Sequence, residues 1–354
     1  MSTDTPSIGK EISVTGARIA GVVSCVPKRI VTNDEFAVTF EPEALASALK
    51  MIGVETRRQT DASTTTSDLC ITAGKHLLQK LAWDPASIDA VIFVSQTPDH
   101  VLPATACVIQ HALKLSQAGI AFDVNLGCSG YVYALWLGMT MIQSGAANRV
   151  LLAVGDTVSK IIDPKDRATA LLFGDAGTMT ALEASSASKS CHFVLGSDGA
   201  GAPSLIVPDG AFKPAPVKTD AVGQVVDQSH LYMDGGEIFN FTLRTIPALV
   251  ARLMAISNTS VDQQDYFLFH QANLFMLNHL VKKVKIPKER APINIQEYGN
   301  TSSASIPLLM TSRLREPLLT STLKLSLFGF GVGYSWGGAA LTVGPLTCVK
   351  TIEQ

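Results

Sequence analysis

Short apolar segments with the length of β-strands alternate with segments of helical periodicity along most of this chain. Such alternation is typical of α/β proteins, in which helices connect the strands of a sheet. The predicted strands are 89–96, 120–124, 149–154, 178–182, 266–269 and 323–328. The predicted helices are 103–115, 131–144, 273–284 and 302–315. The sequence therefore predicts an α/β fold with mixed sheets.

The order of elements is similar in the two parts of the chain, although no repeat is visible by residue identity. A chain of 354 residues has room for about two domains. An Ala-, Ser- and Lys-rich connector at 183–190 separates the two parts, and a loop-rich stretch at 197–228 is expected on the surface. We expect two similar halves, 1–186 and 187–354, whose sheets pack back to back with helices between and outside them.

The charge composition argues against polyanionic partners. Only 16% of the residues are charged, 47% are hydrophobic, and the formal net charge is −2. This composition lacks the broad basic field that nucleic acid or an anionic membrane surface requires. Residues 1–10 are polar, and no apolar run approaches the roughly 20 residues of a membrane span. We therefore expect a cytoplasmic protein without a membrane or nucleic-acid partner.

The six cysteines are scattered along the chain without paired spacing. Such a pattern indicates neither a disulfide framework nor a zinc site, so we expect free thiols and no metal. Most of them are expected to be packing residues, since free cysteine behaves as a small hydrophobe. The six are Cys25, Cys70, Cys107, Cys128, Cys191 and Cys348.

One cysteine, Cys128, lies at the apex of a small-residue turn, Asn125-Leu126-Gly127-Cys128-Ser129-Gly130. The turn stands between the predicted strand 120–124 and the predicted helix 131–144. The free N–H groups and the positive dipole end of that helix favour a thiolate, so we expect an exposed nucleophile with a lowered pKa. The alternative is ordinary packing of a buried cysteine.

Two segments of the second half place a polar side chain beside a strand or helix end. His270 follows the strand 266–269, and functional groups of α/β sheets commonly lie at the carboxyl ends of strands. Asn300 lies just before the predicted helix 302–315. Taken alone, Asn300 is best explained as a helix N-cap, for which asparagine is a preferred residue.

In order, spacing and flanking residues, these segments resemble β-ketoacyl-acyl-carrier-protein synthase III, the thiolase-fold condensing enzyme that starts fatty-acid chains. The resemblance covers about residues 17–343 and implies a five-layer α-β-α-β-α sandwich of two similar halves. Its Cys-His-Asn set is distinct from the Cys-His-His set of the condensing enzymes that elongate chains. The supporting motifs are Asp123-Val124-Asn125, Asp163-Pro164-Lys165-Asp166-Arg167, Leu172-Phe173-Gly174-Asp175, His270-Gln271-Ala272-Asn273, Gly299-Asn300-Thr301-Ser302 and Gly333-Tyr334-Ser335-Trp336-Gly337.

The resemblance implies a catalytic role for each of these residues. Cys128 would carry the acyl group, with the developing oxyanion bound by the backbone N–H groups of Cys128 and Val332. His270 and Asn300 would donate hydrogen bonds to the carbonyl oxygen of a malonyl thioester. Loss of carbon dioxide would leave an enolate that attacks the acyl-cysteine and gives a 3-ketoacyl thioester.

The resemblance also implies the substrates and partners. These are acyl-CoA, a malonyl thioester carried by acyl carrier protein, and a second copy of the chain in a homodimer, with no bound cofactor. Arg167 and Asn273 would bind substrate, and Leu102 would shape the acyl pocket of the other subunit. Lys282 and Lys283 would dock the acidic carrier protein, although a solvated basic helix face explains them equally well.

Val332 stands where the family usually has a small residue, and three further departures from the family pattern bear on the substrate. Ser47 stands where an aromatic residue usually stacks on the adenine of coenzyme A, and Phe275 stands where a basic residue often helps to dock the carrier. Leu102 need not close the acyl pocket as an aromatic residue would. These departures predict weaker coenzyme A binding or another carrier, and tolerance of primers longer than two carbons.

Several alternative functions stay open. The acyl group on Cys128 could pass to an alcohol or amine without decarboxylation, or the enzyme could serve a specialised pathway of the quinolone or polyketide type. Type III polyketide synthases share Cys-His-Asn, and Phe328-Gly329-Phe330-Gly331 resembles their C-terminal loop, whereas Gln271-Ala272-Asn273 favours the starter synthases. A silent partner subunit is the last alternative, and the presence of all three catalytic residue types argues against it.

Overall fold

The computed structural model describes residues 8–220 and 222–354. Its strands are β1 (Lys10–Val14), β2 (Ala17–Val26), β3 (Ile30–Thr32), β4 (Thr56–Arg58), β5 (Ala90–Val94), β6 (Ile120–Val124), β7 (Arg149–Asp156), β8 (Ala176–Ala184), β9 (Cys191–Ser197), β10 (Leu205–Ile206), β11 (Tyr232–Met233), β12 (Tyr266–Phe269), β13 (Leu323–Gly331), β14 (Ser335–Val343) and β15 (Cys348–Glu353). Its helices are α1 (Pro42–Ile52), α2 (Thr66–Leu81), α3 (Thr105–Ala112), α4 (Gly130–Gln143), α5 (Arg167–Ala170), α6 (Gly235–Ile256), α7 (Leu274–Lys283), α8 (Ile295–Tyr298), α9 (Ser305–Arg313) and α10 (Arg315–Thr320).

Two mixed sheets organise these elements. The first has the strand order β15-β2-β8-β7-β5-β6, and the second has the order β1-β9-β14-β13-β12. In the first sheet β5, β6 and β7 are parallel, and in the second β12 and β13 are parallel. Parallel strands end at the same edge of a sheet, which is where functional groups of α/β proteins commonly lie. The segments that follow β5, β6 and β7 therefore emerge together, as do those that follow β12 and β13.

The helices form three layers around the two sheets. Helices α4 and α9 lie between the sheets, where Leu135 and Leu309 are fully buried in one apolar cluster with Leu152 of β7 and Leu327 of β13. Helices α2 and α3 cover the outer face of the first sheet, and α6 and α7 cover the outer face of the second. The predicted five-layer thiolase-type sandwich with mixed sheets is confirmed.

Two helices begin differently from the prediction for local reasons. Helix α3 begins at Thr105 rather than at Pro103, because the Asp123 carboxylate of the neighbouring strand accepts the backbone N–H groups of Thr105 and Ala106, each at 2.7 Å. The predicted helix 302–315 begins with a 3₁₀ turn, followed by α9 and the separate short helix α10. The sequence-based prediction did not include α1, α2 or α6.

The two terminal strands cross between the predicted halves. Strand β1 lies within 1–186 but pairs with β9 of the second sheet, whereas β15 lies within 187–354 but pairs with β2 of the first. The connector at 183–190 joins β8 to β9 and so passes the chain from one sheet to the other. Apart from β1 and β15, the division of the chain into halves at residue 186 stays a prediction. Residues 1–7 of the polar segment 1–10 lie outside the described residues.

One helix of the described ranges, α6, is long and apolar enough to cross a membrane by length and composition alone. Half of its most apolar window is buried. Phe241, Leu249 and Leu253 of this helix pack into the cluster over the second sheet. In this fold α6 is therefore a core helix. Most described residues of the predicted loop 197–228 are exposed, as expected, although this stretch also contains a 3₁₀ turn, Gly199–Ser204, and strand β10.

Candidate active site

The Cys128 turn connects the carboxyl end of β6 to Gly130, the first residue of α4. The Gly130 N–H donates to the Gly127 carbonyl at 2.7 Å. A Cβ atom at Gly130 would lie 2.7 Å from Cγ1 of the fully buried Val94, and one at Gly127 would contact the end of the Gln96 side chain. Position 130 therefore requires glycine, because the turn packs against the end of β5, whereas the flexible Gln96 side chain can turn away from position 127.

The Cys128 sulfur is buried rather than exposed. The residue is 7% exposed and lines a narrow cavity of about 40 Å³. Burial raises the pKa of Cys128 to about 11, against hydrogen bonds from the Val332 backbone and the Ser302 side chain, which lower it. The expectation of an exposed thiol with a lowered pKa is wrong for this state, because desolvation outweighs the groups that favour a thiolate. Those groups remain in place to stabilise negative charge when it develops.

The loop after β13 brings the Val332 backbone N–H to the sulfur. A Cβ atom at Gly331 would lie 2.9 Å from Cys128 Sγ, so the loop reaches the cysteine only with glycine at that position. Ser335 holds the loop in place, since its hydroxyl donates to the Val332 carbonyl at 2.8 Å and lies 2.6 Å from the Ser129 hydroxyl. This arrangement fits the predicted pair of backbone donors, one from Cys128 and one from Val332.

His270 lies directly after β12 and is 2% exposed. Its backbone N–H donates to the Phe328 carbonyl at 2.8 Å, and the edge of its ring faces Phe330. Ring atom Nδ1 lies 2.7 Å from the Ser305 hydroxyl. Burial lowers the pKa of His270 to about 3, against a hydrogen bond with the Ser302 backbone, which raises it. The imidazole is therefore neutral at physiological pH, and a neutral imidazole offers one N–H donor.

Asn300 is held on both sides of its backbone by the segment between α5 and β8. Its N–H donates to the Leu172 carbonyl at 2.9 Å, and its carbonyl accepts from the Gly174 N–H at 3.0 Å. Its Oδ1 accepts from the Ser302 N–H at 2.9 Å, and Nδ2 donates to the Ala272 carbonyl at 3.4 Å. The oxygen thus forms an Asx turn with Ser302 rather than a helix N-cap, since Thr301 is the N-cap of the 3₁₀ turn, while the amide group keeps a second N–H for a ligand.

Ser302 connects the three predicted catalytic residues. Its hydroxyl lies near the Cys128 sulfur, its backbone lies near the His270 ring, and its N–H donates to Asn300 Oδ1. Sequence reasoning missed this residue, as it missed Asp156, which is fully buried and lines the same cavity. A signal for Asp156 was available, because a carboxylate at the carboxyl end of a buried strand stands at the sheet edge where functional groups lie.

The residues predicted to contact acyl-CoA lie at the surface. Arg167 begins α5 and is exposed, and α5 contacts α1, which carries the exposed Ser47. Segment 42–52 contains no aromatic residue. Leu102 is 77% exposed in the segment between β5 and α3. Arg167 therefore lies near α1, the helix that lacks the aromatic residue expected to stack on the adenine. Leu102 is exposed and available for contact with another chain.

Helix α7 carries the other predicted binding residues. Asn273 caps the helix, with its side chain accepting the Met276 N–H at 2.7 Å, so its observed contact is structural. Phe275 is 49% exposed and stacks on Phe239 with 5.6 Å between ring centroids. Both lysines of the last turn, Lys282 and Lys283, are exposed, and Lys283 Nζ donates to the Leu243 carbonyl at 2.9 Å.

The cysteine side chains are free thiols, and Cys107 is the exposed one among them. Within residues 8–220 and 222–354, no group of three or more His, Cys, Asp or Glu side chains is arranged to hold a metal ion.

Two family models match separate segments of the chain, and the first of these segments includes the connector. The model described as 3-oxoacyl-[acyl-carrier-protein (ACP)] synthase III matches residues 122–199, which include Cys128. The model described as 3-oxoacyl-[acyl-carrier-protein (ACP)] synthase III C terminal matches residues 254–343, which include His270, Asn300 and Val332. 3-Oxoacyl and β-ketoacyl denote the same group.

Similarity to individual proteins extends over nearly the whole chain. A putative 3-oxoacyl-[acyl-carrier-protein] synthase 3 of Campylobacter jejuni is 37% identical over 337 residues, which cover 92% of this chain and 93% of the relative. A β-ketoacyl-[acyl-carrier-protein] synthase III of Clostridium perfringens is 33% identical, covering 92% and 98%. The crystal structure of a 3-oxoacyl-(acyl-carrier protein) synthase from Burkholderia xenovorans LB400 is 58% identical with a TM-score of 0.94, covering 98% and 99%. The chain belongs to the 3-oxoacyl-[acyl-carrier-protein] synthase III family.

Proposed function

We propose that this protein is a condensing acyltransferase that transfers an acyl group to Cys128 and then condenses it with a malonyl thioester. The observation that carries the proposal is the arrangement around Ser302. Ser302 lies beside the buried Cys128 thiol, which faces a backbone N–H. It also lies beside His270 and Asn300, the two neutral side-chain donors. The names of the relatives, synthases that act with acyl carrier protein, support the same reaction.

In the first step the Cys128 sulfur attacks the carbonyl carbon of an acyl thioester. The tetrahedral intermediate carries a negative oxygen, and the backbone N–H groups of Cys128 and Val332 bind it. Backbone donors need no particular side chain, so valine at position 332 is compatible with this role. The donor's thiol leaves, and the acyl group remains on the enzyme as a thioester.

In the second step a malonyl thioester enters the acylated site. His270 and Asn300 donate hydrogen bonds to its thioester carbonyl oxygen, which becomes an enolate oxygen as carbon dioxide leaves. In the tautomer in which Nδ1 of His270 accepts a hydrogen bond from the Ser305 hydroxyl, Nε2 carries the proton for this purpose. The enolate carbon then attacks the acyl group, the Cys128 sulfur leaves, and a 3-ketoacyl thioester is released.

The proposal includes acyl carrier protein as the carrier of the malonyl group and acyl-CoA as one class of acyl donor, with no bound cofactor. We assign Arg167 to coenzyme A binding and Lys282 and Lys283 to carrier docking, beside the exposed Phe275. The absence of an aromatic residue around Ser47 predicts weak coenzyme A binding, which favours donors that arrive on a carrier.

We also propose a cytoplasmic homodimer. Strand β6 is the outer strand of the first sheet, and its Ile120 is 44% exposed, so its free edge is available to the same strand of a second copy. Leu102, also exposed, would then reach the acyl pocket of the other subunit, where leucine leaves room for primers longer than two carbons.

A specialised condensing enzyme is the second candidate. The priming β-ketosynthase of the R1128 polyketide pathway is 25% identical with a TM-score of 0.79, covering 97% of this chain and 99% of that one. Its active-site chemistry would be the same, and only the primer and the carrier would differ. The donor experiment below distinguishes it from fatty-acid initiation by the primer that acylates Cys128.

The test combines intact-mass spectrometry with a panel of acyl-CoA and acyl-carrier donors. We expect acylation of the wild-type protein and its loss in Cys128→Ala. Adding malonyl-carrier to the acylated protein should release carbon dioxide, and Asn300→Ala should keep acylation while losing that release. Acyl transfer to another acceptor without carbon dioxide release would favour the non-decarboxylative alternative. Failure of every donor to label Cys128 would refute the proposal.

A further inference from the structure

Asp156 is a buried carboxylate that the reaction described above does not use. It ends β7 and is 0% exposed. Its Oδ1 accepts from the Gln96 N–H at 2.7 Å, from the Ser95 hydroxyl at 3.0 Å and from the Thr97 hydroxyl at 3.4 Å. Its Oδ2 accepts from the Ser303 hydroxyl at 2.6 Å and from the Ser303 N–H at 3.2 Å. The carboxylate therefore connects the loop after β5 to the turn that follows Asn300.

Asp156 has five hydrogen-bond donors but no cation. Among the described residues no Lys, Arg or His forms an ion pair with it. The titratable groups that face Asp156 are the Cys128 thiol and the Cys70 thiol of α2. Asp99 faces Cys70 from another side. Burial raises the pKa of Asp156 above its usual value, against hydrogen bonds that lower it, the largest from Ser303. A carboxylate of this kind is a stronger base than an exposed one.

The hydroxyl of Ser302 lies between Asp156 and the nucleophile. It lies close enough to the Cys128 sulfur and to the Asp156 carboxylate to lower the pKa of both groups. All three residues line the same cavity. A hydroxyl can donate one proton while it accepts another, so it can pass a proton between two groups that do not touch.

Acylation of Cys128 requires a base because the buried thiol is protonated at neutral pH. His270 is a poor candidate, because burial lowers the pKa of its imidazole to about 3, which makes it a weak base, and Nδ1 is hydrogen-bonded to Ser305. We propose that Asp156 accepts, through the Ser302 hydroxyl, the proton that leaves Cys128 during acylation, and returns it to the departing thiolate. This inference rests on the proposed acylation of Cys128. Ser302 touches the reacting sulfur, whereas Asp156 acts through Ser302.

The step balances without a further reactant. The S–H bond of Cys128 breaks as the sulfur forms a bond to the acyl carbon, the Ser302 hydroxyl passes its own proton to Asp156, and it takes the proton from the sulfur. When the tetrahedral intermediate collapses, the bond between the acyl carbon and the donor sulfur breaks. The proton then passes from Asp156 through Ser302 to that sulfur, which leaves as a thiol.

The chain offers a matched control in Asp175. This carboxylate is also 0% exposed, its pKa is also raised by burial, and it accepts hydrogen bonds from the N–H and hydroxyl groups of Thr60 and Ser159. Asp175 does not line the Cys128 cavity. Replacing either aspartate with asparagine therefore disturbs a similar buried network, but only Asp156→Asn removes the proposed proton acceptor.

The test measures single-turnover acylation of Cys128 by rapid quench and intact-mass spectrometry between pH 5 and pH 9, with a donor that labels the wild-type protein. We expect Asp156→Asn to acylate about 100-fold more slowly at pH 7, the usual size of a general-base contribution. Its rate should rise about tenfold per pH unit, as for unassisted thiolate formation. Asp175→Asn should keep the wild-type rate and pH profile.

A second readout separates proton transfer from a structural or purely electrostatic role. The negative charge of Asp156 raises the pKa of Cys128, so Asp156→Asn should react at least as fast as wild type with iodoacetamide, which needs only the thiolate. Slower acylation together with undiminished alkylation supports the proposal. A variant that is slower in both reactions has a damaged site, and this outcome overturns the assignment.

Ser302→Gly provides an independent test if Asp156→Asn does not fold. Ser302 has φ +49°, a conformation that glycine accepts readily, and glycine keeps the N–H that holds Asn300. This variant should show the slow acylation and the steep pH profile expected of Asp156→Asn. Wild-type acylation kinetics in either variant overturn the proposal and leave the proposed function intact. If no donor acylates the wild-type protein, both fail together.

Discussion

The contact between Gly331 and Cys128 gives a sharp test of the site geometry. A Cβ atom at position 331 would lie 2.8 Å from Cys128 Cβ and 2.9 Å from Sγ. Ordinary contacts between such atoms are about 3.5–4.0 Å, so Gly331→Ala must displace the sulfur, the Val332 loop or both by roughly 1 Å. A displacement of about 1 Å in a catalytic arrangement costs on the order of 10²-fold in rate. We therefore expect acylation of Cys128 in Gly331→Ala to be about 100-fold slower.

The assay is single-turnover acylation followed by intact-mass spectrometry, with thermal unfolding measured in parallel. Overpacking of this size costs about 1–3 kcal/mol in folding free energy, so the variant should remain folded at assay temperature. Gly338→Ala is the matched control, because its added Cβ meets the side chains of Leu249 and Leu253 at 3.3–3.4 Å, away from the cysteine. We expect this control to lose stability without losing rate. Acylation of Gly331→Ala within threefold of wild type would refute the deduced contact.

Two further predictions concern His270. Ser305→Ala removes the hydroxyl at Nδ1, so carbon dioxide release from malonyl-carrier should fall about tenfold while Cys128 acylation stays within twofold, both measured in single turnover. The second prediction concerns stability against pH. The pKa of His270 is lowered to about 3 in the folded protein, while the unfolded chain takes up the proton near pH 6.5. Below about pH 6.5 the unfolded chain takes up a proton at this histidine and the folded protein does not. The contribution of His270 to the free energy of unfolding is therefore fully present above pH 6.5 and is lost as the pH falls toward 3. Between pH 7.5 and pH 5.5 the loss is about 1.4 kcal/mol. Urea unfolding should show it in the wild type and not in His270→Gln, and an equal pH dependence in both would contradict the assignment.

Local patterns were sufficient to identify the residues that stand directly at strand ends. Cys128 and His270 each follow a short apolar strand, and both strands are present with the predicted bounds. Motif order added Asn300, whose local pattern alone indicated a cap. In the structure the oxygen forms an Asx turn with Ser302 instead of capping the helix, and the second N–H of the amide group remains available.

The pKa of Cys128 could not be predicted from its own segment. The helix N-terminus that favours a thiolate is visible in the sequence, but burial depends on loops from other parts of the chain. Val332 comes from the second sheet and Ser302 from the turn before α9, and both close over the sulfur. Desolvation by distant segments therefore reversed a prediction that was sound for the isolated turn.

The strand exchange at the chain ends was unpredictable for a different reason. Strand β1 is short and mostly exposed, with only Val14 fully buried, so its pattern does not select a sheet. It pairs with β9 because the edge of the second sheet is free there. Element order alone divides the chain into two halves and does not show that β1 and β15 each pair with the sheet of the other half.

The two proposed steps use separate groups that meet at one residue. Acylation depends on the backbone donors of Cys128 and Val332, and decarboxylation depends on His270 and Asn300. The first set belongs to the cysteine turn and the loop after β13, and the second to the end of β12 and the turn before α9. Ser302 contacts members of both sets, through its hydroxyl for the first and through its backbone for the second. Removing only the hydroxyl should therefore slow acylation and spare decarboxylation, whereas a backbone change at the same position should impair both steps.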